Sequence, residues 1–279
     1  MSAWLPMAPC TPRDCAGHLG ERRAPLSAAA LLFAGCALTL LGVLCVPGVL
    51  LLGPAGRDRL VRRWAYTVVR AFGVRVRVTG GPEAAARAPA GELVVANHVS
   101  WLDIPLVAAV FPARMVAKSE IRNWPLLGPL AALGGTLFIE RDRLRALPAA
   151  VRTLAAALGS GSRVAVFPQG STWCGRSTGG RFRPAAFQAA IDAGAAVRPV
   201  RIRYRTTDLC TAGAAAFVGD DPLAASLWRV VTAAGLTAEI SVLAPIPAGS
   251  EPDRRSLARA AQSAVASDSA NRPSESVHH

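Results

Sequence analysis

The sequence predicts an α/β domain with a mostly parallel central sheet flanked by helices, preceded by an N-terminal hydrophobic membrane helix or hairpin. Three observations carry that reading. From residue 74 onward, short runs rich in β-branched residues alternate with longer helical patterns, the order that builds parallel strands joined by crossover helices. The run "RVAVFP" at 163–168 is continuously apolar across its middle, as a strand covered on both faces must be. Ahead of both, residues 27–54 carry no charged side chain.

Taken in order, residues 1–26 are rich in Pro, Cys, Gly and Arg without periodicity and read as a flexible arm. The uncharged run at 27–54 exceeds the roughly 20 residues that a helix needs to cross a bilayer. It also exceeds the apolar core of a signal peptide, about 7–15 residues. The run reads either as one membrane-spanning helix or as a hairpin bent at Pro47-Gly48. Arg57, Arg59, Arg62, Arg63 and Arg70 follow it, against Arg13, Arg22 and Arg23 before it, which places the following domain on the cytoplasmic side of the cell membrane.

Residues 55–73 space Leu60, Trp64, Val68 and Phe72 by four, with Arg on other faces. Such a helix either lies in the lipid headgroup layer or packs on its own domain. The main domain is expected over 74–249, with strands near 74–79, 92–97, 114–117, 136–139, 162–167, 196–204 and 237–243. Helices are expected near 101–111, 125–133, 147–159, 184–193 and 222–234, and residues 250–279 read as a polar tail.

At 279 residues and 52% apolar content the chain buries a sizeable core, which excludes disorder as its state. The balance of 31 basic and 18 acidic residues, formally +13, demands something anionic nearby. Nucleic acid is not expected, because no recognition motif interleaves the arginines and much of the charge flanks the apolar run. Membrane lipids and a phosphorylated ligand remain. Lys118 is the only lysine among the 31 basic residues, a compact ammonium in an arginine background. Six cysteines, at 10, 15, 36, 45, 174 and 210, form no C-x-x-C pair and read as reduced and free of zinc. With one histidine in the body of the chain and no clustered carboxylates, no metal and no cofactor are expected.

That histidine, His98, stands in "VVANHVSWLD" at 94–103, where a strand should end and a helix begin. Reactive groups gather at such places in open α/β sheets. Ser100 and Asp103 have capping-box spacing, so Asp103 can be a helix-start carboxylate and nothing more. Alternatively, a chain turning into the helix brings the imidazole over the first turn. Asp103 then accepts from one ring nitrogen and leaves the other basic.

These residues resemble the glycerolipid acyltransferases typified by 1-acylglycerol-3-phosphate acyltransferase. The N-H-x-S-x-x-D block is matched by Asn97, His98, Ser100 and Asp103, and G-x-x-F-I-x-R by Gly135, Phe138, Ile139 and Arg141. The F-P-E-G-T block appears as "FPQGST", residues 167–172, and an apolar-proline element as "VRPV" with Pro199. "VAKSEI", with Lys118, is similar to the stretch between the first two blocks. The resemblance spans about residues 64–245.

It implies the glycerolipid acyltransferase fold and transfer of a fatty acyl group from acyl-CoA or acyl-carrier protein to a lysophospholipid hydroxyl. The favoured acceptor is 1-acylglycerol 3-phosphate, giving phosphatidic acid. His98 would be the general base and Asp103 its orienting partner. Substrate-binding roles fall to Asn97, Ser100, Lys118, Arg141, Gln169, Gly170, Ser171 and Thr172. Gln169 stands where the family commonly has Glu, and Trp173 where many members have Arg. Glycerol 3-phosphate, another lyso-lipid such as lyso-ornithine lipid, or a non-catalytic lipid-binding role are the alternatives.

Overall fold

Runs of Val, Ile and Ala become strands because their branched or compact side chains fit a pleated surface buried on both faces. The computed structural model describes residues 8–18, 20–80, 91–125, 127–140, 143–176, 179–207 and 211–267. Its strands are β1 (Arg75–Thr79), β2 (Glu92–Ala96), β3 (Arg114–Lys118), β4 (Leu137–Ile139), β5 (Arg163–Val166), β6 (Ala196–Arg205) and β7 (Thr237–Val242). They form one sheet in the order β1-β7-β6-β2-β5-β3-β4. Every neighbouring pair is parallel except β6 with β7.

The helices are α1 (Pro12–Cys15), α2 (Pro25–Leu50), α3 (Pro54–Ala71), α4 (Asp103–Val110), α5 (Leu127–Leu133), α6 (Leu147–Gly159), α7 (Ala185–Asp192), α8 (Leu223–Thr232) and α9 (Arg254–Ala266). One apolar layer lies between the sheet and α3, α4 and α8, with Phe72, Leu102, Leu106, Val231 and Ile240 buried in it. A second lies between the sheet and α6, α7 and α9, around Leu93, Leu158, Phe187 and Leu257. The expected mostly parallel α/β sheet is therefore present, and each strand and helix predicted within the domain lies within two residues of its expected bounds.

Both chain ends differ from the sequence reading. Residues 1–26 were expected as a flexible arm, yet Arg23 donates to the carbonyls of Val231, Ala233 and Gly73 at 2.6–2.8 Å. The arm is held because its guanidinium satisfies carbonyls left open where α8 and α3 end. Residues 250–279 were expected as a polar tail, but 254–266 form α9. Asp253 caps it by accepting from the amides of Arg255 and Ser256, and Leu257 and Ala261 are fully buried. Its apolar stripe is made mostly of alanines, a weak signal in an alanine-rich chain.

The uncharged run is a single helix through Pro47, so no hairpin bends at Pro47-Gly48. The chain turns instead at 51–53, and Pro54 opens α3 at its first turn, where a missing N–H costs nothing. Helix α3 packs on the domain through Ala65, Val68 and Val69. Helix α2 runs antiparallel along α3: Trp64 donates to the Leu38 carbonyl at 3.1 Å, and a Cβ added at Gly42 or Gly35 would strike Trp64 or Phe72 at 2.3–2.6 Å. The opposite face of α2 is bare. Leu26, Phe33, Leu40 and Leu44, with Leu51 just beyond the helix, lie within a narrow arc at about 100° per residue, and all are exposed.

Candidate active site

Parallel strands all finish on one edge of a sheet, and the first and third blocks read from the sequence, at the ends of β2 and β5, meet there. Strand β2 is buried throughout and ends at Ala96. Asn97 then fixes this end to β6: its side-chain N–H donates to the Ile202 carbonyl and its carbonyl accepts from the Ile202 amide, both at 2.8 Å. Asn97, expected to bind substrate, is a backbone clamp.

His98 comes next and is held at four points. Its amide donates to Gln169 Oε1 at 2.8 Å and its carbonyl accepts from the Trp173 amide at 2.8 Å. The ring stacks on Phe167 with centroids 4.1 Å apart and planes 15° from parallel. Nδ1 lies 2.8 Å from Asp103 Oδ2. The side chain retains 20% exposure, and Nε2 has no hydrogen-bond partner among the described residues.

Asp103 has 0% exposure yet is well supplied with donors. Oδ2 also accepts from the amides of Val99 at 2.6 Å and Ser100 at 2.8 Å, and Oδ1 accepts from the Tyr204 hydroxyl at 2.6 Å. The two readings of Asp103 are thus one arrangement. Its carboxylate reaches back over the turn as a capping residue does, and the same oxygen binds the imidazole. A carboxylate oxygen accepts from the ring, so the contact selects the tautomer with the proton on Nδ1.

Sequence reasoning missed Tyr204, 101 residues downstream. Burial pushes its hydroxyl well above the ordinary tyrosine range, the Asp103 charge adds to that, and a hydrogen bond from Ser100 opposes it. Tyr204 is therefore a permanent donor. A signal existed: on β6 it shares the apolar face with Val200 and Ile202, where a phenol needs a buried partner. Ser100, expected to meet substrate, is fully buried beside this pair, and its hydroxyl also accepts from the Leu102 amide at 3.3 Å.

Gln169 is 3% exposed and faces inward. Oε1 holds the His98 amide, while Nε2 donates to the Gly180 carbonyl at 3.4 Å, a bond an ionised Glu could not make. Gly170 has φ +77°, the left-handed conformation its turn requires. Ser171 Oγ is buried without a partner among the described residues, as is Trp173 Nε1, while Thr172 is partly exposed. Arg181 and Arg183 flank this loop with exposed side chains, the Arg183 amide donating to the Pro168 carbonyl at 2.9 Å. Lys118 is exposed at the end of β3, two strands from β2, about 10 Å across the sheet. Arg141 lies outside the described residues.

Comparison with known proteins matches residues 75–203 to the acyltransferase family model. The lyso-ornithine lipid O-acyltransferase of Pseudomonas aeruginosa is 42% identical over 209 residues, 75% of this chain and 78% of that protein. The chain belongs to the acyltransferase family. Another acyltransferase, the 1-acyl-sn-glycerol-3-phosphate acyltransferase of Neisseria meningitidis, is 37% identical over 206 residues, 73% of this chain and 78% of its own. The crystal structure of the 1-acyl-sn-glycerophosphate acyltransferase PlsC of Thermotoga maritima shares the fold, with TM-score 0.67 at 19% identity, covering 86% of this chain and 92% of that one. This acyltransferase is an O-acyltransferase of lipid metabolism.

Proposed function

We propose that His98 Nε2 is the general base for transfer of a fatty acyl group from an acyl thioester to a lyso-lipid hydroxyl. One observation carries the reading: Nδ1 is committed to Asp103 at 2.8 Å, while Nε2 is unpartnered in a side chain that retains access to the surface. The acceptor O–H proton passes to Nε2 as its oxygen attacks the thioester carbonyl. The tetrahedral oxyanion then collapses, the C–S bond breaks, and the departing thiolate recovers the proton from the imidazolium. No covalent enzyme intermediate is needed. General-base catalysis of this kind contributes on the order of 10²- to 10⁴-fold. Ser171 Oγ, a buried hydroxyl without a partner among the described residues and two positions from Gln169, is suited to donate to the oxyanion or to the acceptor.

The favoured acceptor is 1-acylglycerol 3-phosphate, giving phosphatidic acid. Lys118, Arg181 and Arg183 support a phosphate, because they stand exposed along the strand-end edge without an acidic partner among the described residues. The 42% identity to a lyso-ornithine lipid O-acyltransferase favours a second reading, acyl transfer to lyso-ornithine lipid. Acyl-CoA and acyl-carrier protein are both chemically suitable donors. The bare face of α2 is suited to sit in the acyl-chain region of one leaflet, each leucine contributing on the order of 1.5–3 kcal/mol. A lone span would be free on all sides, whereas the inner face of α2 is already occupied by α3.

The test is turnover by the full chain in detergent, with each donor offered against lysophosphatidate, lyso-ornithine lipid and glycerol 3-phosphate. Esterification of lysophosphatidate above the others supports the first reading, and preference for lyso-ornithine lipid the second. Absence of transfer to any acceptor, in folded protein, refutes both.

A further inference from the structure

Three cysteines that the sequence reading leaves unrelated meet in space. Cys10 lies just before α1 and Cys15 is its last residue, while Cys174 follows the "FPQGST" loop, more than 150 residues later in the chain. Their Sγ atoms all lie within 4.8 Å of one another. Cys174 is buried, Cys10 and Cys15 are partly buried, and none is in a disulfide. We propose that Cys10, Cys15 and Cys174 bind one zinc ion.

The geometry suits a metal. Two thiolates on one tetrahedral zinc stand about 3.8 Å apart when each Zn–S bond is about 2.3 Å, so the three sulfurs reach ligand positions with small rotamer shifts. A disulfide draws two sulfurs to about 2.05 Å and leaves the third idle, whereas a soft d10 ion uses all three. Each thiol gives up its proton on binding, three protons for one ion, and the fourth position falls to solvent. The resulting charge is −1, with the Arg176 guanidinium close by, donating to the Asp14 carbonyl at 3.0 Å.

The surroundings are built around this contact. Ala216 and Val218 pack on the three side chains. A Cβ added at Gly213 would meet the Cys15 carbonyl at 2.6 Å and the Gly17 carbonyl at 2.4 Å, so the arm lies directly on that segment. The Phe217 amide donates to the Val99 carbonyl at 3.0 Å, and Trp173, next to Cys174, holds the His98 carbonyl. Zinc at this point staples the N-terminal arm to the backbone that positions the imidazole. Its role is to hold structure, and the acyl-transfer chemistry does not pass through it. The spacing conceals the site, because C-x₄-C has no second Cys or His pair to complete it and the third cysteine is remote in the sequence.

The experiment uses the reduced full-length chain in detergent. Zinc is titrated against a chromophoric chelator, and thiols are then alkylated and mapped by mass spectrometry. The expected result is one zinc per chain, a raised melting temperature, and protection of Cys10, Cys15 and Cys174 but not of Cys36 or Cys45. Cys174→Ser and Cys15→Ser should lose the bound equivalent, while Cys36→Ser and Cys45→Ser keep it. Because the protection map is read on the unmodified chain, misfolding of a variant does not blunt the test. Absence of uptake, protection of other cysteines, or a disulfide joining two of the three in protein trapped at lysis would overturn the proposal.

Discussion

Among the described residues the two carboxylates least exposed as whole residues, Glu92 and Asp103, sit at the start of β2 and the start of α4, about 20 Å apart along the chain direction. Glu92 opens β2 and is gripped by two guanidiniums, Arg163 Nε at 2.8 Å and Arg198 Nε at 2.7 Å. Asp103 opens α4 and is held by two amides, a phenol and an imidazole. Both partners of Glu92 are permanent cations that outnumber its single charge. Around Asp103 the charge is stabilised mainly by neutral donors, and one partner is a base with a second, unpaired nitrogen. Burial alone therefore does not distinguish the two acids; their partners do.

The sharpest way to break the comparison is to remove each centre and read activity against stability. His98→Ala should lower turnover on the order of 10²- to 10⁴-fold, with a stability loss of about 1–3 kcal/mol from the donor removed from Asp103. A variant that turns over normally would reduce the His98–Asp103 pair to architecture. Glu92→Gln should do the reverse. Leaving two buried guanidiniums against a neutral amide is expected to cost about 3–5 kcal/mol, measured by chemical denaturation, with turnover of the folded fraction near that of the parent.

Tyr204→Phe separates the two roles at Asp103 with a smaller effect. Loss of one donor to a buried carboxylate should cost about 1–3 kcal/mol, with the Nδ1 contact retained and turnover reduced far less than in His98→Ala. A pH consequence follows from the raised ionisation of Tyr204. Its contribution is fully present below the unfolded tyrosine value, about 10, and is lost as pH rises toward the folded value, because only the unfolded chain releases the proton. The parent should therefore lose more stability than Tyr204→Phe in alkaline denaturation, and parallel curves would contradict this. The smallest effect is expected for Gln169→Glu. It keeps the acceptor for the His98 amide and forfeits only the donation to Gly180, so turnover should fall by less than a factor of about ten and stability by about 1 kcal/mol.

Local patterns made the strands of the domain legible, since β2 and β5 are short runs buried on both faces, β7 alternates, and the rest are short β-branched runs between helical patterns. The His98–Asp103 contact was legible because both residues sit within six consecutive residues at a strand end. Asn97, Ser100 and Gln169 were legible as positions but not as roles: each spends its polar atoms inside the protein, and only the register of β2 against β5 and β6 reveals it. Tyr204 and the three-cysteine cluster were hidden for one reason, that contacts between segments 100 or more residues apart leave no local spacing. Helix α9 and the docked arm were misread as polar ends because alanine stripes and a single guanidinium do the holding.

The most direct test of the central claim is the proton position on His98, read from ¹⁵N chemical shifts of histidine-labelled protein at neutral pH and assigned by comparison with His98→Ala. A proton on Nδ1 and a bare lone pair on Nε2 is the predicted result. A proton on Nε2 would set a lone pair against the Asp103 carboxylate, leave no base for the acceptor hydroxyl, and contradict the mechanism.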